Sequence, residues 1–148
     1  MKNNTQTRKV NIQKQEKKTR KQRKNTSNHF IQQTLNYLAT IKMFHWTTES
    51  FAAHKATDAL YTKLQTFMDL FVETSLGHYN NKKSLKLSTI EVKKINNNSQ
   101  LHKYTQIYKK HLKNIRKSLP DSSQSEMINV IDDILTELDV LLYLLTLK

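Results

Sequence analysis

A chain of 148 residues with one Gly, one Pro, no Cys and a formal net charge of +13 has room for one domain with a real core and little for a second. So few turn residues exclude a hairpin-rich β fold, and the lack of Cys excludes disulfides, thiolate metal sites and cysteine nucleophiles, so any metal must sit on N and O donors. No apolar run approaches the roughly 18 to 20 residues of a membrane span and the N-terminus lacks an apolar signal core, so an all-α, soluble, intracellular protein with no membrane partner is expected.

Residues 1–27 come first and are unlike the rest. Lys2, Arg8, Lys9, Lys14, Lys17, Lys18, Arg20, Lys21, Arg23 and Lys24 stand against Glu16 alone, about +9 of the total +13. Met1, Val10 and Ile12 are the only larger aliphatic side chains in this stretch, too few to offset the entropy of ordering it. A disordered basic N-terminal arm is expected, followed by a four-helix domain over 28–148. Such an arm is either a solubilising or targeting tail or a holder of DNA or another polyanion. Lys and Arg without interleaved aromatics favour phosphate contacts, which are salt-sensitive and largely blind to sequence.

From residue 28 the pattern changes. Ile31, Leu35, Leu38, Ile41 and His45 recur at three- and four-residue intervals and predict a helix over 28–46. Thr47, Thr48, Glu49 and Ser50 form a polar turn with hydroxyls suited to capping. Leu60, Leu64, Phe67, Met68 and Phe71 then mark a second helix to about Leu76, with Gly77 as its left-handed stop. Residues 78–99 are rich in Asn and Lys and predict a long connection with a short helix of its own. Leu101, Tyr104, Tyr108, His111, Leu112, Ile115 and Leu119 give a third helix with a basic outer face, stopped by Pro120. Ser123 and Glu126 form a capping box before the last helix, whose stripe includes Met127, Ile131, Ile134, Leu138 and Leu142. The fold class is all-α, a ferritin-like four-helix bundle with one long crossover between helices two and three.

On a helical wheel with His54 at zero, Asp58, Asp69 and Glu73 fall within about 100° of it, off the apolar face. That stripe is either a solvated surface or a set of ligands. His45, beside Trp46 at the end of the preceding helix, lies across a short turn from His54, and two imidazoles with three carboxylates suit Fe(II). An iron site inside the bundle would need an inward Glu-x-x-His pair. The chain has none, which points to ligands gathered with a second chain across a two-fold axis. His29, His78, His102 and His111 show no partner spacing, and Tyr37, Tyr61, Tyr104 and Tyr108 read as core edge. Nothing resembles a phosphate-cradling loop or a Ser-His-Asp arrangement.

The segment HWTTESFAAHKATDALYTKLQTFMDLFVE, His45 to Glu73, resembles the signature of the Dps family, the DNA-binding proteins of starved cells. The spacings His54 to Asp58, Asp58 to Asp69 and Asp69 to Glu73 match it in register. It departs in a shorter turn that lacks glycine and in Thr74, where an arginine is common. The resemblance implies a homo-oligomer, a dimer at least and a hollow dodecamer in the family. It implies a ferroxidase centre at the dimer two-fold, with His45, His54 and Asp58 from one subunit, Asp69 and Glu73 from its partner, and Trp46 beside the metal. Two irons per site would be oxidised by peroxide or oxygen, and DNA held by the arm would be protected from oxidative damage. The rival reading is a non-enzymatic DNA-compacting protein, packaged in a virion, that keeps this scaffold. The Asn- and Lys-rich composition suits an AT-rich genome such as that of a large DNA virus or a protist. A third reading is a helical interaction module with neither metal nor DNA.

Overall fold

The structure is a computed structural model that describes the backbone of residues 3–79, 85–119 and 124–147, and the side chains of 25–78, 85–119 and 124–147. Among the described residues there are four helices and no strand: α1 (Asn3–Thr47), α2 (Phe51–Tyr79), α3 (Asn98–Ser118) and α4 (Ser125–Leu144). The all-α four-helix architecture is therefore as the sequence implies. None of these helices is long and apolar enough to cross a membrane.

Helix α1 packs on α2 and α3, and α4 packs on the same two. Each packed pair is antiparallel, because rising numbers on one helix meet falling numbers on the other. Lys42 meets Asp58 and Phe30 meets Phe71 between α1 and α2, while Thr34 meets Tyr108 and Tyr37 meets Thr105 between α1 and α3. Lys109 pairs with Asp139 and Arg116 with Asp132 between α3 and α4. Lys63 pairs with Glu137 and His78 with Glu126 between α2 and α4. Hence α1 and α4 run one way, and α2 and α3 the other. The described part of the α2–α3 connection, 85–96, lies along α1 in the same direction as it. Its backbone N–H groups at Lys86, Ser88, Glu91 and Lys93 donate to side-chain oxygens of Asn28, Gln32, Asn36 and Thr40. These four acceptors stand four residues apart on one face of α1, so a single polar stripe satisfies an extended segment that has no sheet to join.

The apolar stripes meet in one core that contains Phe30, Tyr37, Leu64, Phe71, Ile134 and Leu138, all fully buried. Two polar links pass through it. The Tyr37 hydroxyl pairs with Thr105 Oγ1 at 2.8 Å and the Tyr108 hydroxyl with Thr34 Oγ1 at 2.9 Å. The two rings stack with centroids 4.1 Å apart. Burial pushes both phenols well above their ordinary range, so they stay neutral. These tyrosines belong to the core, not its edge.

Four expectations about local structure are corrected. Helix α1 does not begin near residue 28: its backbone is helical from Asn3 through the segment expected to be a disordered arm. Residues 1–47 contain neither Gly nor Pro, and Lys, Arg and Gln are good helix formers. Gly77 does not stop α2, which continues to Tyr79; its φ is not left-handed and a Cβ there would meet nothing within 4 Å. No helix forms over 85–96, because the α1 side chains already take its N–H groups. Helix α4 takes Gln124 as its N-cap, and Ser123 of the expected capping box lies outside the described residues. The stop at the end of α3 is as expected: Leu119, just before Pro120, is extended at φ −89° and ψ 130°.

Candidate functional site

The turn between α1 and α2 is three residues long and built from hydroxyls. Thr48 Oγ1 accepts from Ser50 N–H, and Ser50 Oγ caps α2 by accepting from Ala53 N–H at 3.2 Å. So short a turn brings the last turn of α1 against the first turn of α2, and each contributes a histidine. The rings of His45 and His54 stack with centroids 3.9 Å apart and planes at 25°. Their other contacts are reciprocal: His45 Nδ1 lies 3.0 Å from the His54 carbonyl, and His54 Nδ1 lies 2.9 Å from the His45 carbonyl. A carbonyl can only accept, so each Nδ1 carries the proton and donates, and in the neutral ring each Nε2 keeps its lone pair.

One turn along α2, Asp58 Oδ1 stands 3.7 Å from His45 Nε2. The same oxygen accepts from Lys42 Nζ at 3.2 Å. The Lys42 hydrogen bond holds the Asp58 carboxyl below its ordinary value of 3.8, against some opposing desolvation and with help from the charges of Lys42, His45 and His54. A depressed carboxyl pKa adds stability above the unfolded value and loses it as pH falls through the folded one. Replacing Lys42 by Met should therefore raise the Asp58 midpoint toward 3.8 in a carboxyl-carbon NMR titration. An unmoved midpoint would show that Lys42 does not hold the carboxylate.

The remaining predicted ligands are placed elsewhere. Asp69 and Glu73 are exposed on α2, and Asp69 lies about 16 Å along the helix axis from Asp58 at 1.5 Å per residue. Within one chain the structure brings together His45, His54 and Asp58, and leaves Asp69 and Glu73 apart from them. Among the described residues no group of three His, Cys, Asp or Glu side chains is arranged to hold a metal ion. Lys55 shares the wheel angle of Glu73 and puts a cation in the acidic stripe. Trp46 is 66% exposed and Phe51 75% exposed, so Trp46 is no core residue of this chain. The side chains of Arg8, Lys9, Lys14, Lys17, Lys18, Arg20, Lys21, Arg23 and Lys24 lie outside the described residues.

Two histidine contacts carry no signal in sequence spacing, because they form between helices. His29 on α1 meets His111 on α3 edge to face with centroids 6.2 Å apart, and His78 at the end of α2 reaches Glu126 at 3.6 Å. Lys42 was also missed. The visible signal was its position three residues before His45, on the side of α1 that faces α2.

Fold and site together define a small all-α bundle with a clamped histidine pair where its first two helices meet. The chain belongs to the DUF5856 family, a family of unknown function, whose model matches residues 45–145. That match begins at His45 and takes in all of α2, α3 and α4. No curated protein and no solved structure matches the chain.

Proposed function

We propose that this protein is a diverged Dps-like ferroxidase that holds DNA through its basic N-terminal segment and oxidises Fe(II) at a site completed by a second copy of the chain. The observation that carries this reading is the reciprocal clamp on His45 and His54. An imidazole that ligates a metal ordinarily donates its other N–H to a carbonyl or carboxylate, which fixes the tautomer and aims the lone pair. Both rings have that arrangement, with the Asp58 carboxylate beside them.

Fe(II) is the substrate. His45, His54 and Asp58 would supply two nitrogen donors and one oxygen donor, and a cation entering there competes with the Lys42 ammonium for Asp58. Asp69 and Glu73 of a second copy would complete the set, Glu73 reaching toward a second iron. The exposed Trp46 and Phe51 beside the turn suit a covering partner. Two Fe(II), one hydrogen peroxide and two protons give two Fe(III) and two waters, so no hydroxyl radical is released beside DNA.

The test is anaerobic addition of Fe(II) to the purified protein followed by a peroxide pulse. Ferric absorbance should rise faster than in buffer and saturate near two irons per site. Oxidation at the buffer rate would favour the rival reading, a non-enzymatic DNA-compacting protein, to which the Lys42 contact on Asp58 already lends support.

A further inference from the structure

We propose that the outer face of α3 is a second nucleic-acid surface, a rigid lysine track that binds the phosphate backbone of a duplex. This goes beyond the reading above, since it needs neither iron nor the N-terminal segment. The sequence of α3 holds six Lys or Arg and no Asp or Glu. The six divide by direction. Lys109 and Arg116 turn toward α4 and pair with Asp139 and Asp132. Lys103, Lys110, Lys113 and Lys117 are exposed and form no ion pair among the described residues.

Those four lysines, with Gln106, recur at intervals of three and four and form one straight row. It is about 21 Å long from Lys103 to Lys117 at 1.5 Å per residue. An ordinary solvated helix face mixes signs at these intervals, because opposite charges three or four apart stabilise a helix and like charges destabilise it. A row of one sign is a standing repulsion that a polyanion relieves. Within 85–119 the only acid is Glu91, which sits against Lys93 at 3.5 Å, and the α4 acids that reach α3, Asp139 and Asp132, are paired with Lys109 and Arg116.

The chemistry of the row selects its partner. Tyr104 and Tyr108, the aromatics of α3, pack inward on Tyr37, so the track offers no platform for stacking the unpaired bases of a single strand. Within α3, Ile107 alone is an exposed large apolar side chain, far short of the apolar face a membrane-surface helix inserts. Evenly spaced ammonium groups without base-reading side chains suit duplex phosphates. The row also points somewhere. One cavity is lined by Asn25 and His29 of α1 together with His111, Asn114 and Ser118 of α3, so the Lys117 end of the track lies where the basic stretch of α1 begins.

The experiment uses the full chain and a labelled duplex of about 30 base pairs, with affinity followed from about 50 to 200 mM salt. The variant Lys103→Gln, Lys110→Gln, Lys113→Gln, Lys117→Gln is compared with Arg8→Gln, Lys9→Gln, Lys14→Gln, Lys17→Gln. Both carry a net charge of +9, which is the +13 of the chain less four. Loss of the α3 lysines should flatten the slope of log affinity against log salt by about 3 to 4, close to 0.9 for each phosphate contact. That result supports the track whether or not the N-terminal variant also weakens binding. An unchanged slope overturns it, and a loss confined to the N-terminal variant leaves the basic segment as the sole contact. Binding to vesicles containing phosphatidylserine is the second arm: if the α3 variant loses vesicles while keeping the duplex, the partner is a membrane and the proposal fails.

Discussion

Two variants that are each inactive are expected to oxidise iron once their chains are combined. In the His54→Ala, Asp58→Ala variant every proposed site lacks two of the three ligands of the histidine-bearing copy, and in the Asp69→Ala, Glu73→Ala variant every proposed site lacks the carboxylates of the neighbouring copy. A mixed dimer across a two-fold axis has two unequal sites. One takes His54 and Asp58 from the second variant and Asp69 and Glu73 from the first, and is intact; the other collects all four substitutions. Random association of equal amounts makes half the dimers mixed, each with one working site, so about a quarter of the native peroxide-driven rate should return. The chains must be co-expressed or refolded together so that partners exchange. The geometry makes the experiment decisive, because about 16 Å of helix separates Asp58 from Asp69 in one chain and no rotamer change closes that gap. If mixed dimers form and the rate stays at background, the shared site is wrong. If the Asp69→Ala, Glu73→Ala variant is fully active alone, the chemistry belongs to His45, His54 and Asp58 within one chain.

The sequence made some of this legible and not the rest, and the division follows periodicity. Helix content showed because each stripe of Leu, Ile and Phe repeats at the helical interval and only one Gly and one Pro interrupt the chain. Helix ends were harder. Gly77 looked like a terminus since glycine so often is one, yet nothing crowds its position and the helix passes through it. The start of α1 was placed where the apolar pattern starts, but a backbone of Lys, Arg and Gln can stay helical with no apolar face to bury. In the site, the proximity of His45 and His54 could be read from the short hydroxyl turn between two helices. Their exchange of carbonyl bonds could not, because it depends on how closely the helix ends approach. The hold of Lys42 on Asp58 likewise depends on packing across helices. Asn28, Gln32, Asn36 and Thr40 stand at every fourth position, but only the fold shows that an extended segment lies along them.

Phe71→Ala should be the most destabilising single change in this bundle, and its neighbour Leu70 gives the comparison that connects stability to assembly. Phe71 is fully buried and stacks on the equally buried Phe30 with centroids 3.8 Å apart and planes at 28°. The pair joins α1 to α2 at the opposite end from the histidine clamp. Truncation removes the transfer free energy of the ring and leaves a cavity that the helices can only partly close, a cost of about 3 to 5 kcal/mol. Against the roughly 5 to 15 kcal/mol that holds a domain of this size together, that is a large share. With a urea dependence of about 1 to 3 kcal/mol per molar, the unfolding midpoint should fall by more than about 1 M. A midpoint within a few tenths of a molar of the native one would show that the two rings are not packed as described. Leu70 is 48% exposed on a single chain, so Leu70→Ala should cost under about 0.5 kcal/mol if that face of α2 stays in water. If a second copy covers that flank, the cost rises with protein concentration, because stability then includes association. A Leu70→Ala effect that is small and independent of concentration would show that no second copy covers the Leu70 flank of α2.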